Sequence, residues 1–242
     1  MIRRFLCLLT AMLFVTSGTA TAHAQLRGYE RNHGWEFVLW GEYPYEADGT
    51  PENVMWRVLT VSDDVAFMIT ESIIDFVHYH SEKDTDPERP LNYVDTLMSR
   101  FCNEECLSTM FSADEQAALI EMEDGRGKLS CPTFDELTDT ATGFPSGKGK
   151  NTRRNAWGTP YAYHKGLKKL GSNRCSWYFT ATWRRPGFRW IVGDDGHISV
   201  VGSDRIGGVR PVIRLDLSKI EIVSGDGTRN APYLLEIATS MR

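Results

Sequence analysis

Val54-Met-Trp-Arg-Val-Leu-Thr-Val61, Ser62-Asp-Asp64 and Val65-Ala-Phe-Met-Ile-Thr70 form the stretch on which the fold class turns. Two runs rich in β-branched and aromatic residues flank a short polar break, the pattern of a β-hairpin. Upstream, Trp35-Glu-Phe-Val-Leu-Trp40 predicts another strand, ending in a turn at Gly41 and Pro44. Asp48-Gly-Thr-Pro51 predicts a loop. Downstream the period changes. After a polar, Pro-bearing loop over Ser81–Pro90, residues Tyr93, Val94, Leu97, Met98 and Phe101 fall on one helical stripe. Ser112 followed by Glu115 predicts a capping box opening a helix over Gln116–Met122, and Thr133 with Glu136 repeats the signal.

The last third returns to strands. Ser176–Trp183, Phe188–Val192, His197–Val201, Val209–Leu217, Ile220–Val223 and Tyr233–Ile237 are apolar or alternating runs. Gly193-Asp-Asp-Gly196 is a hairpin turn. Thr142–Asn155 has no periodicity and predicts an exposed loop, with the basic run Lys148–Arg154 as a solvated face. No internal repeat or dividing linker occurs. The order of strands, short helices and strands predicts one α+β domain over residues 35–237, with a lead-in at 25–34 and a tail at 238–242.

The chain has 242 residues, 27 Lys and Arg against 32 Asp and Glu, 41% apolar residues and 24% charged ones. That composition is of a globular protein, and the acidic balance excludes generic nucleic-acid binding. Met1-Ile-Arg-Arg4, the apolar run Phe5–Val15 and the ending Ala22-His-Ala24 are the three regions of a secretory signal peptide. Eleven apolar residues span about 16 Å as a helix, too short for the membrane core. The expectation is cleavage after Ala24, release to the periplasm or the exterior, and a mature chain without a transmembrane segment.

Beyond residue 24 lie Cys102, Cys106, Cys131 and Cys175. An even number in an exported chain favours disulfides, and four cysteines allow three pairings. Cys102 and Cys106 are close enough for a local bridge, which would leave Cys131 to tie Cys175. A four-thiolate zinc centre is the rival, against which stands the lack of paired C-x2-C spacing.

Gly41-Glu-Tyr-Pro44, Trp56-Arg-Val-Leu59 and Thr70-Glu-Ser72 together resemble the start of a bacterial family, domain of unknown function 6273. Phe111-Ser-Ala-Asp-Glu115, Leu129-Ser-Cys-Pro-Thr-Phe-Asp-Glu136 and Gly207-Gly-Val-Arg-Pro-Val-Ile213 extend the resemblance, as does Ser224-Gly-Asp-Gly-Thr-Arg-Asn-Ala-Pro-Tyr233. The resemblance covers roughly residues 35 to 235, and Gly-Val-Arg-Pro is its most specific element. It implies the C-type-lectin-like fold shared with the formylglycine-generating enzyme, a sulfatase-modifying factor. At Ser176-Trp-Tyr-Phe-Thr180 the chain departs from the family's usual Trp followed by Arg-Ser. The oxidase of that fold needs two adjacent thiols to hold copper. Only Cys175 lies in the last third, so the resemblance implies the scaffold without the oxidase.

Few residues promise chemistry. His78-Tyr-His80 places two imidazoles on one side of an extended chain, where Asp75, Asp84 or Asp86 could complete a metal site. Asp84-Thr-Asp86 and Gly193-Asp-Asp195 offer carboxylates to calcium but match no EF-hand loop. Gly143–Lys150 is glycine-rich without the phosphate-loop pattern, and no nucleophile elbow occurs. Arg210, before Pro211, is expected to pair within the sheet. No cofactor is predicted. The richest segment runs from Trp177 to Trp190, with flat rings beside guanidinium groups suited to sugars, peptides or anions. Trp183-Arg-Arg-Pro-Gly187 is expected to leave the sheet as a loop, so Trp183, Arg184, Arg185, Arg189 and Trp190 are the candidate ligand-binding residues. A non-catalytic module for a glycan, peptide or envelope protein is therefore expected. The alternatives are a metal-assisted enzyme using His78 and His80, or a structural subunit of an envelope assembly.

Overall fold

In the computed structural model, residues 20–21, 25–82, 86 and 91–239 are described, and two sheets dominate. Strands are numbered in chain order. The larger sheet holds β1 (Ala20–Thr21), β2 (Phe37–Pro44), β3 (Pro51–Ser62), β4 (Val65–Thr70), β6 (Leu119–Ile120), β7 (Leu129–Ser130), β12 (Val212–Asp216), β13 (Ile220–Ser224) and β14 (Tyr233–Ile237). The smaller holds β5 (Asp75–His78), β8 (Tyr178–Arg185), β9 (Phe188–Val192), β10 (Ile198–Gly202) and β11 (Ile206–Val209). Their orders are β1-β13-β14-β2-β3-β4-β12-β6, with β7 also on β12, and β10-β9-β8-β11-β5; neither closes into a barrel. With a few short helices, this is a mixed α/β fold built mostly of sheet.

The Val54–Thr70 hairpin forms where expected, with Val58 opposite Met68 and Ser62 opposite Val65. Its inward residues Val54, Trp56, Val58, Ala66 and Met68 are buried in one core with Phe179, Ala181 and Val209 of the smaller sheet. The predicted break at Trp40 does not occur. β2 runs on through Gly41 to Pro44, absorbing an irregularity between Leu39 and Glu42. The lead-in is also more than a linker: Leu26 is buried and Tyr29 N donates to Leu59 O at 2.9 Å.

Two short crossings join the sheets. Residues 71–74 carry the chain from β4 to β5, and Arg210-Pro211 carries it back from β11 to β12. The motif Gly207–Ile213 thus marks a sheet junction. β11 lies so close to its neighbours that a Cβ on Gly207 would stand 2.3 Å from the Trp177 ring, and one on Gly208 would stand 2.6 Å from Trp177 O. Arg210 is fully buried and joins the two sheets, donating to Thr70 O at 2.8 Å and Tyr178 Oη at 3.1 Å. Its expected pairing role holds, with carbonyl and hydroxyl oxygens as acceptors.

The helix predicted from Tyr93 starts later and runs further. A single 3-10 turn, Tyr93–Asp95, precedes α1, which is α-helical over Leu97–Arg100, π-helical over Phe101–Cys106 and α-helical again over Leu107–Met110. The Ser112–Glu115 capping box is present and opens α2 (Ala113–Ala118). α2 stops short of Met122 because Leu119 and Ile120 pair with Leu215 and Arg214 on β12, and strand pairing overrides the helical pattern. Thr133 and Glu136 make the same reciprocal bonds, at 2.7 and 3.1 Å, yet open only a turn. α3 (Pro160–His164), capped by Thr159 with Pro at its start, had not been expected. Among the described residues no helix is long and apolar enough to cross a membrane. The leader apart from residues 20–21, Asp84 with most of the 83–90 loop, and residues 240–242 of the tail lie outside the described residues.

Candidate functional site

The Trp183–Gly187 segment is not the loop its Pro and Gly suggest. β8 continues to Arg185, and only Pro186 and Gly187, the latter at φ +74°, make the turn into β9. Pro presets the first turn position and Gly supplies the left-handed second one. Because the candidates lie on strands, alternation separates them. Trp183 sits opposite Arg189, whereas Trp190 sits opposite Val200 on β10.

Arg189 is therefore no surface ligand. It is 2% exposed, its guanidinium stands 5.1 Å from the Tyr79 ring, and Nη2 donates to Leu91 O at 2.7 Å. Its Nε and Nη1 are buried and have no partner among the described residues. Trp183 is 44% exposed and lines no part of the groove on the other face.

That groove, of about 390 Å³, is lined by Lys148, Arg184, Arg185, Trp190, Ile198, Ser199 and Val200. The Trp190 ring is its floor. Lys148 Nζ is 4.4 Å and the Arg184 guanidinium 5.4 Å from the ring centroid, and Phe134 packs on it at 5.2 Å. Arg185 lies over Phe188 at 4.4 Å. Lys148, Arg184 and Arg185 are exposed, and among the described residues none of the three makes an ion pair with a carboxylate.

Lys148 is carried to the groove by a loop built around Arg154. Arg154, expected on a solvated face, is fully buried. It donates to Leu137 O, Pro145 O, Gly147 O, Gly149 O and Gly196 O at 2.5 to 3.0 Å. A loop whose carbonyls cannot pair with strands is wrapped on one side chain. Lys148 O then accepts from Ile198 N at 2.8 Å, seating the loop on β10.

A larger cleft of about 730 Å³ lies over Tyr43, Tyr45, Glu52, Glu71 and Arg229. Its buried carboxylate, Glu71, is already held by Arg57 at 2.6 Å and Arg229 at 3.0 Å. That buried carboxylate is thus held by two guanidinium groups, whereas the smaller groove carries cations with no ion pair among the described residues.

The remaining candidates disperse. His78 is exposed on β5 and His80 half-buried, and Asp75 is taken up by Tyr43 Oη at 2.7 Å and Lys165 Nζ at 2.5 Å. Among the described residues no three His, Cys, Asp or Glu side chains gather in a metal-holding group. Asp195 is held by Lys150 at 2.9 Å and by the His197 ring. The four cysteines among the described residues are free and buried. Cys175 stands with Asn173, Asn155 and Asp194, while Cys131 lies beside Cys102, so the arrangement that joined Cys131 to Cys175 is not the one the fold brings together. Comparison of the chain with family models, with curated proteins and with solved structures finds no match.

Proposed function

We propose that this protein is an exported, non-catalytic binding module that takes an acidic glycan in the Lys148–Arg184–Arg185–Trp190 groove. The observation that carries this is the convergence of two cations, Lys148 and Arg184, on one indole with Arg185 beside them, none of the three ion-paired among the described residues, in a chain of net charge −5. Planar guanidinium groups match carboxylates and sulfates in a bidentate manner, and the ring keeps their stems extended. The groove has room for one or two sugar units and lies open along β10, which suits a segment of a polymer.

Export is supported by the cationic start, the apolar run and the small-residue ending of residues 1–24. β1 pairs with Glu221 and Ile222, so cleavage after Ala24 would bare the β13 edge in the mature chain. The resemblance to domain of unknown function 6273 and the C-type-lectin-like scaffold it implies are consistent with a binding role. Cys175, set near Asn155, Asn173 and Asp194, has no thiol beside it among the described residues, whereas the oxidase of that fold needs one.

Titration calorimetry with an oligogalacturonate, a neutral glucan and a polyglutamate peptide tests the reading. The oligogalacturonate should bind, and the Arg184→Ala/Arg185→Ala variant should bind it at least tenfold more weakly with an unchanged melting temperature. Equal binding by the variant, or binding of polyglutamate alone, overturns the assignment.

A further inference from the structure

The π-helical turn of α1 places two buried thiols, Cys102 and Cys106, toward different neighbours. The Cys106 thiol lies near Tyr43, whose hydroxyl donates to the buried Asp75. Cys102 turns the other way. Its Sγ lies 3.6 Å from Tyr93 Oη, and the same hydroxyl accepts from Cys131 N at 3.0 Å. Cys102 and Cys131 therefore share the Tyr93 hydroxyl as a common neighbour, near enough that Cys102 raises the Cys131 thiol pKa. Arg126 fixes the second strand of the contact by donating to Cys131 O at 2.6 Å, and Asn103 accepts from Lys128 N at 3.0 Å. Two backbone segments are thus pinned side by side, with one cysteine from each meeting at the Tyr93 hydroxyl.

We propose that Cys102 and Cys131 form a structural disulfide, while Cys106 and Cys175 remain thiols. The bond forms by exchange with a disulfide oxidant. One cysteine thiolate attacks the oxidant's disulfide, giving a mixed disulfide and releasing one thiol. The second then displaces the remaining oxidant thiol, so two protons and two electrons leave the pair and the oxidant gains both. The reaction belongs to folding. In the closed core, contact with Cys102 and burial push the Cys131 thiol up, and both sulfurs are sealed from solvent, where a thiol is inert. Once made, the bond would tie α1 to the segment after β7 across a loop of roughly 30 residues. In the cell the bond needs the export proposed above, but a refolding experiment does not, so the two can fail separately.

The experiment refolds the reduced, denatured chain in a glutathione redox buffer, alkylates free thiols and maps the peptides by mass. The expected result is one crosslink joining Cys102 to Cys131, with Cys106 and Cys175 alkylated. A Cys102–Cys106 or Cys131–Cys175 link, or four alkylated cysteines, overturns the proposal. A Cys106→Ala/Cys175→Ala variant, compared with itself before and after reduction, should lose about 10 °C of melting temperature on reduction. No loss would refute the stapling role.

Discussion

Arg57 on β3 directs both Nε and Nη2 at a single oxygen of Glu71, at 2.9 and 2.6 Å, and leaves the other oxygen to Arg229. Both side chains are buried, and burial, followed by the nearby Arg210 charge, pulls the Arg57 pKa down to about 10. Removing one partner strands a buried charge. Glu71→Gln is expected to cost about 3 kcal/mol in urea unfolding, whereas Arg57→Met/Glu71→Leu should recover most of that loss. A double variant no more stable than Glu71→Gln would show that the pair holds the first sheet crossing by more than charge compensation.

Arg154 links stability to the groove. Its five carbonyl acceptors include those on both sides of Lys148. Arg154→Met should cost about 3 kcal/mol or more, speed amide exchange across residues 145–149 and weaken groove binding as well. Lys148→Ala should weaken binding alone. If Arg154→Met leaves exchange in that loop unchanged, the side chain is not what orders it.

Arg189 is expected to behave in the opposite way from its neighbours. Two of its N–H-bearing nitrogens are buried without acceptors, and an unpaired buried donor costs folding free energy. Arg189→Met keeps the apolar stem against Tyr79, so it should melt at the same or a higher temperature and bind the acidic oligosaccharide as the parent does. A large loss of affinity would return Arg189 to the ligand site.

The β9–β10 turn carries a pH dependence. Hydrogen bonds from the His197 side chain first, then from Lys150, hold the Asp195 carboxyl below its ordinary value. The folded chain therefore favours the charged form more than the unfolded chain does. Its contribution is complete above about pH 4 and is lost as pH falls through the lowered folded value. The melting temperatures of the parent and Asp195→Asn, separate at pH 6, should begin to approach one another as pH falls below about 4. Curves that stay parallel would mean that the ion pair with Lys150 adds nothing.

Local signals in the sequence determined most of the longer strands, the Ser112–Glu115 cap, the β3–β4 hairpin and the Asp195-Gly196 turn, because period, capping and turn chemistry act over a few residues. Binary pattern also marked Trp177–Trp190 as rich in recognition chemistry. Which of those side chains meet was decided only by the tertiary structure. β8 continues two residues past Trp183 because it has β9 to pair with, and that continuation puts Arg184 and Trp190 on the open face and Arg189 inside. Arg154 reads as one more charge in a basic loop until five carbonyls from separate turns converge on it. The Cys102–Cys131 contact likewise depends on where a helix and a strand distant in sequence come to rest. Such partners are chosen by long-range packing and by the need to pair buried polar groups, and neither leaves a spacing in the chain.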